Sequence, residues 1–395
     1  MIDGRPGGNP YEGREQAYVK HEVLRLYLQR LAFKVGNFQP GTTLNYIDGF
    51  SGPWDAVTDD HGDSSPAIAM RELAKARDGL AALPSPKQMN VRAMFVENDR
   101  VAFERLTRLC ASAPVEALTF HGEFEGHITE AARFAAHGQH PFAFVFIDPT
   151  GWTGFSLRRI TPLLQVRPSE VLINFMLKDI ARFIDDEESV AVESFEELFG
   201  QDAASYRARW RHLSGLDRED EIVRAYCDRV RHAGGFAHCV STVIVNPTAD
   251  RTHYHLVFAT RSLNGLTTFR DIERQVTPVQ QKARAQAKQR KREDRTAQLD
   301  LLAPTEMDTD YFESLCARYR TKARAAVEAA LPTVGGEVSY DALVPVALAW
   351  PLTSDAVPKA WLADLINEGR IELRGLGARE RVAKVGAGQK VRRVR

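Results

Sequence analysis

The chain has 395 residues with 52 basic and 52 acidic side chains, enough length for a large core and more than one domain, and no net charge to announce a polyanionic partner. Cys110, Cys227, Cys239 and Cys316 stand far apart with neither a pairing rhythm nor metal-ligand spacing, which argues against a disulfide scaffold or a zinc module and suits thiols in a reducing cytoplasm. The N-terminus is polar and Gly-rich without an apolar signal region, and no apolar run reaches membrane-spanning length, so the expectation is a soluble cytoplasmic protein with no membrane contact.

Residues 1–17 read as a flexible lead. Val19, Val23, Leu24, Tyr27, Leu28 and Leu31 then recur at helical spacing over 18–33. A strand over 44–49 follows, and Asp63-Ser64-Ser65-Pro66 opens a helix that runs to about 78. Strands are expected at 91–97, 115–120, 142–148 and 170–176, alternating with helices over 98–110, 124–137 and 156–164. Short apolar strands alternating with helices predict an α/β protein with a Rossmann-like, doubly wound parallel sheet. The charged stretch 178–233 reads as a helical insertion, 237–246 with 253–260 as an antiparallel hairpin at the sheet edge, and 265–295 as a helix, basic from about 270 onward. A linker over 296–308 separates the Rossmann domain (18–295) from a small winged-helix-like domain (309–377), and 378–395 forms a basic tail.

Chemistry gathers at the strand ends. Asp48, Glu97 and Asp148 each close a strand, and in such a sheet those tips meet at the edge where ligands sit. Gly49 and Gly52 let the backbone come close to a cofactor, and Glu97 has the position of an acid that holds ribose hydroxyls. Pro149 fixes the chain after Asp148, and Trp152 offers a flat surface for a planar group. The competing account is that each acid caps the following helix, and that Trp152 is a half-buried turn residue.

Tyr46-Ile47-Asp48-Gly49-Phe50-Ser51-Gly52-Pro53, Ser65-Pro66, Phe95-Val96-Glu97-Asn98-Asp99, Phe146 through Trp152, Val171 through Met176 and Leu256 through Arg261 occur in an order that resembles the three-Cys-motif partner family, across roughly 18–275. That resemblance implies a class I S-adenosylmethionine-dependent methyltransferase fold and a companion carrying a three-cysteine, radical-SAM-like motif. Asp48-Gly49-Phe50-Ser51-Gly52 is similar to the Asp-x-Phe-x-Gly cofactor motif of nucleic-acid methyltransferases, and Asp148-Pro149-Thr150-Gly151-Trp152 to their Asp-Pro-Pro-Tyr catalytic motif. Pro53-Trp54 and Thr150-Gly151 depart from the two patterns. The likeness makes Lys20, Asp48, Gly49, Phe50, Gly52, Glu97 and Glu123 the residues expected to bind S-adenosyl-L-methionine. Lys20 would reach the cofactor carboxylate, and the segment around Glu123 and Phe124 would close over the adenine. Asp148, Pro149 and Trp152 become the expected catalytic set, acting on a base amino group.

Lys20 also reads as a solvated helix-face residue and Phe124 as core; His253-Tyr254-His255 invites a metal reading but lacks a third ligand, so no metal site is expected. Seven basic residues over 282–295 and seven over 378–395 would track the phosphates of DNA or RNA, or would form a solvated face. Two functions therefore stand: methyl transfer to a nucleic acid, or a non-catalytic methyltransferase-fold adaptor that docks a partner protein and nucleic acid. A divalent-metal nuclease is the third reading, disfavoured because no catalytic lysine follows a paired acid.

Overall fold

The computed structural model describes residues 11–52, 62–151, 153–177, 180, 189–200, 202–296, 307–354, 356–377, 380 and 382–395. The first part of the chain runs α1 (Glu15–Phe38), β1 (Thr42–Asp48), α2 (Ser65–Ala81), β2 (Met89–Glu97), α3 (Arg100–Ala111), β3 (Glu116–His121), α4 (Ile128–Ala135), β4 (Pro141–Ile147), α5 (Leu157–Leu164) and β5 (Ser169–Phe175). It continues through α6 (Ser189–Phe199), α7 (Ala203–Trp210), α8 (Gly215–Gly234), β6 (His238–Val245), β7 (Thr252–Thr260) and α9 (Leu263–Thr296). These strands form one seven-stranded sheet in the order β3-β2-β1-β4-β5-β7-β6. The pairs β3/β2, β2/β1, β1/β4 and β4/β5 are parallel, while β7 runs antiparallel to both β5 and β6. The fold is mixed α/β with a sheet that is mostly parallel, as expected from the alternation of strands and helices.

The central strands are short apolar runs because both of their faces are covered. All seven residues of β1 and of β5 are buried. One face packs Leu24, Tyr27 and Leu28 of α1, Leu73 of α2 and Phe269 of α9 against Phe144 and Phe258. The other packs Ile160 of α5 and Tyr226 of α8 against Val145, Ile173 and Phe175. Each such side chain contributes about 1.5–3 kcal/mol on burial. Asn45, the polar residue in the middle of β1, donates to the Ala135 and His137 carbonyls at 3.1 and 2.9 Å and so locks β1 to the end of α4. Ser64 caps α2 by accepting from the Ala67 amide, with Pro66 in the first turn, which is the start signal read in the sequence.

Beyond α9 come α10 (Asp310–Ala330), β8 (Glu337–Ser339), α11 (Tyr340–Leu348), α12 (Ala356–Asn367), β9 (Ile371–Arg374) and β10 (Lys390–Arg393). The last three strands form a separate antiparallel sheet, β8-β10-β9. Its middle strand lies inside 378–395, so that stretch contributes to the small sheet. This part is tied to the large sheet by buried arginines. Arg270 donates to the carbonyls of Leu348 and Ser241, both at 2.9 Å, and Arg284 joins Asp308 at 2.8 Å to Asp250 at 2.6 Å. Residues 297–306, which make up most of the expected linker, lie outside the described residues. No helix among the described residues is long and apolar enough to cross a membrane.

Candidate active site

The chain order of strands reverses between β1 and β4, which opens a crevice at their carboxyl ends. Asp48 ends β1 and Asp148 follows β4 directly. The turn after β1 is stitched to both neighbours: the Gly49 amide donates to the Phe146 carbonyl and the Ser51 amide to the Val96 carbonyl, each at 3.0 Å. A cavity of about 290 Å³ lies there, bordered by Lys20, Ser51, Gly52, Ser65, Asp148, Pro149 and Asn174. Arg14, His21, Asp63, Met176, His253 and Tyr254 also line it.

Asp148 is held from two sides. Lys20, on α1, places its ammonium against Oδ2, and Asn174 Nδ2 donates to Oδ1 at 2.7 Å. Both charged side chains remain partly accessible, so the ion pair sits at the cavity wall rather than in the core. A carboxylate offers about four lone-pair sites, so each oxygen retains accepting capacity for an amine or hydroxyl in the cavity.

Asp48 differs. It is fully buried. Its Oδ1 accepts from the Phe50 amide at 3.1 Å, and its Oδ2 accepts from the Ser65 hydroxyl at 3.0 Å and from the Tyr46 hydroxyl at 3.4 Å. Burial pushes its carboxyl up to about 7, helped by the charge of Asp148 and opposed by the Phe50 amide, Ser65 and Lys20. Asp48 therefore shapes the loop that carries Ser51 and Gly52, and its carboxyl is not part of the cavity wall.

Glu97 also binds its own turn, accepting from the Asp99 amide at 2.7 Å, while Asp99 caps α3 through the Ala102 amide at 2.8 Å. Burial raises the Glu97 carboxyl above the ordinary range, against the pull of the Asp99 and Asn98 amides. The capping role is thus played by the residue two positions beyond the acid. Glu123 is exposed just past β3, at the start of the turn that carries Phe124. A side chain at Gly49 would meet the Phe124 ring at 2.8 Å, so this glycine makes room for a buried phenylalanine, which in turn packs on Phe50 with ring centres 5.6 Å apart. Of the ten residues expected in the site, Lys20, Gly52, Asp148 and Pro149 line the cavity. Asp48, Gly49 and Phe50 support it from beneath, and Glu97 and Glu123 lie at the tips of the next two strands. Trp152 lies outside the described residues, as do Pro53 and Trp54.

Three contributors carried no role in the sequence reading. Ser65 and Tyr46 satisfy Asp48, and Asn174 grips Asp148. The signal for Asn174 was a lone amide inside the apolar run Val171-Leu172-Ile173-Asn174-Phe175. At the cavity mouth, Arg14 pairs with Asp63 at 2.7 Å, and the Tyr11 hydroxyl meets His21 Nδ1 at 3.0 Å. Burial, with Lys20 and Arg14 nearby, holds His21 well below the usual imidazole range, so it is neutral.

The basic stretch of α9 divides. Arg284 and Lys288 pair with Asp250 and Asp308, and Arg290 pairs with Glu15. Lys282, Lys291, Arg292 and Arg295 are exposed and make no ion pair among the described residues.

No protein-family model matches the chain, and no curated protein matches it. Several solved structures align at low similarity, two of which follow. Protein LPL1258 from Legionella pneumophila str. Philadelphia 1, described under family model DUF519, aligns at 9% identity over 66% of this chain and 91% of that one, with a TM-score of 0.37. An O-methyltransferase from Bacillus cereus in complex with SAH aligns at 10% identity over 60% of this chain and 80% of that one, with a TM-score of 0.28. At these scores neither alignment carries an argument about chemistry.

Proposed function

We propose that this protein transfers a methyl group from S-adenosylmethionine to an amino group on a nucleic-acid base, working beside a three-Cys-motif radical-SAM-like protein. The observation that carries this is Asp148, held by Lys20 and Asn174 on the wall of a cavity at the β1/β4 switch point. Strand order supports it as well: five parallel strands in the order 3-2-1-4-5, closed by an antiparallel β7/β6 hairpin, suit the class I methyltransferase type.

The residues fit the cofactor. The cavity opens beside the small residues Ser51 and Gly52, and Asn174 Oδ1, buried at its edge, has no partner among the described residues. Gly52 and Ser51 would receive the amino-acid end, Lys20 its carboxylate, and Glu97 the ribose, with Glu123 and Phe50 flanking the adenine. Bound S-adenosylmethionine supplies an electrophilic methyl: the acceptor nitrogen forms the N–C bond as the S–C pair passes to sulfur. Asp148 accepts from the target amine and orients its lone pair, and the proton released from nitrogen leaves through this carboxylate or water. Alignment supplies most of the rate, because the methyl donor is already activated.

The C-terminal elements, in the order helix, strand, helix, helix, strand, strand with sheet order β8-β10-β9, suit a winged helix. Its α12 exposes Ala360, Ala363, Asp364 and Ile366, which favours the unpaired cations of α9 as the contact to phosphates. Calorimetry with S-adenosylmethionine on the wild type and on Lys20→Met, which should bind it more weakly, tests the cofactor. Mass spectrometry of nucleosides from cells with and without the protein tests the product. Cofactor binding with no nucleoside lost from the deletion strain favours the adaptor, and no binding at all removes the methyltransferase reading.

A further inference from the structure

Two of the side chains lining the cavity are lysine or arginine, Arg14 and Lys20, and two are aspartates, Asp63 and Asp148. They stand as two ion pairs. Arg14 joins Asp63 at 2.7 Å, an acid whose side chain is 3% exposed, and its guanidinium also lies over the Tyr11 ring. Lys20 is held by less. Its ammonium rests on Asp148 Oδ2, and Asp148 is its one partner among the described residues. Asp148 is anchored separately, through Oδ1, by the Asn174 amide at 2.7 Å. Of the pair, Lys20 has the long flexible stem, and both side chains, 13% and 12% exposed, are within reach of a ligand.

As it stands, this pair masks the acid. A charge-assisted bond is roughly twice as strong as a neutral one, so a neutral amine does not displace an ammonium from Oδ2. The lone pair that Oδ2 keeps lies beside that ammonium, where an incoming N–H meets donor against donor. A carboxylate is different, because it offers Lys20 a bond of the same charge-assisted kind as the one given up.

We propose that Lys20 is a positioning residue for which two carboxylates compete: it caps Asp148 before the cofactor binds, then moves onto the cofactor carboxylate and uncovers Oδ2. This rests on the cofactor reading above and deepens it, because it sets an order of assembly, cofactor before acceptor. No covalent bond changes in the exchange; one ion pair is traded for another. The coupling is reciprocal. Asp148 weakens the hold of Lys20 on the carboxylate by the same factor as the carboxylate weakens the hold of Lys20 on Asp148.

The test is a double-mutant cycle read by calorimetry on the full chain: wild type, Asp148→Asn, Lys20→Met and the double variant. The probes are S-adenosylhomocysteine and its decarboxylated analogue, and the ratio of their affinities isolates the carboxylate. Asp148→Asn should raise that ratio about 10-fold, because Lys20 no longer has a competing acid, and Lys20→Met should lower it about 10–100-fold. On the Lys20→Met background, Asp148→Asn should change the ratio by less than about twofold, since the cation through which the two acids compete is gone. A ratio that rises equally on both backgrounds means that Asp148 repels the carboxylate directly, and overturns the inference. A ratio unmoved by Asp148→Asn or by Lys20→Met overturns it as well. Lys20→Gln keeps a polar head without the charge and should follow Lys20→Met. A wild-type ratio in Lys20→Gln shows that the charge is not what the carboxylate meets, and overturns the inference while leaving cofactor binding in place. Absence of S-adenosylhomocysteine binding by the wild type overturns the methyltransferase reading itself, and the inference with it.

Discussion

The ends of β1 and β4 carry the same residue type side by side, yet they form opposite environments. Asp48 is sealed and bonded to Phe50, Ser65 and Tyr46. Asp148 is partly open and shares its oxygens between Lys20 and Asn174 at the cavity. Burial raises the Asp48 carboxyl to about 7, and the charge of Asp148 adds to the rise. One acid thus builds the loop and the other faces the cavity.

The sharpest break of that contrast is Asp148→Ala. It should cut methyl transfer by about 10²–10⁴-fold, the range for losing a positioned proton acceptor, while urea unfolding shifts by about 1–3 kcal/mol, because Lys20 and the buried Asn174 amide lose their acceptor. Asp48→Ala should do the reverse in its first effect. It leaves the Phe50 amide and the Ser65 and Tyr46 hydroxyls short of an acceptor and should cost about 2–4 kcal/mol in urea unfolding.

A third test uses pH. The folded Asp48 carboxyl titrates near 7 against an ordinary 3.8, so the folded state holds a proton that the unfolded chain has released. Its contribution is fully present below the ordinary value and is lost as pH rises through about 7, a swing of at most about 4 kcal/mol. Asp48→Asn should flatten that part of the stability–pH curve between pH 4 and 8. If the slope of the variant matches the wild type, Asp48 is not the group responsible. The smallest effect belongs to Lys20→Met: removing a cation that lowers the Asp48 carboxyl should move its titration further up, read by carbon NMR of the side-chain carboxyl.

A similar contrast runs along α9. Arg284 and Lys282 are two residues apart in one basic run, but Arg284 is 1% exposed and bonded to Asp250 and Asp308, whereas Lys282 is on the surface. Sequence spacing could not separate them, because the acids that neutralise Arg284, Lys288 and Arg290 come from the β6–β7 turn, the segment before α10 and the start of α1.

The alternation of apolar strands and helices, and hence the doubly wound α/β sheet, followed from the sequence by itself, since a strand covered on both faces must read as a continuous apolar run. The helix start at Ser64-Ser65-Pro66 was equally plain, because capping is chemistry between near neighbours. So was the presence of acids at three strand ends. Only the tertiary structure decided what those acids do. It gave Asp48 partners from α2 and β1, placed Lys20 and Asn174 on Asp148 from 128 and 26 residues away, and filled the space over Gly49 with Phe124. Burial and hydrogen bonding depend on groups brought together by folding, and a linear pattern records the residue type without recording which neighbours will surround it.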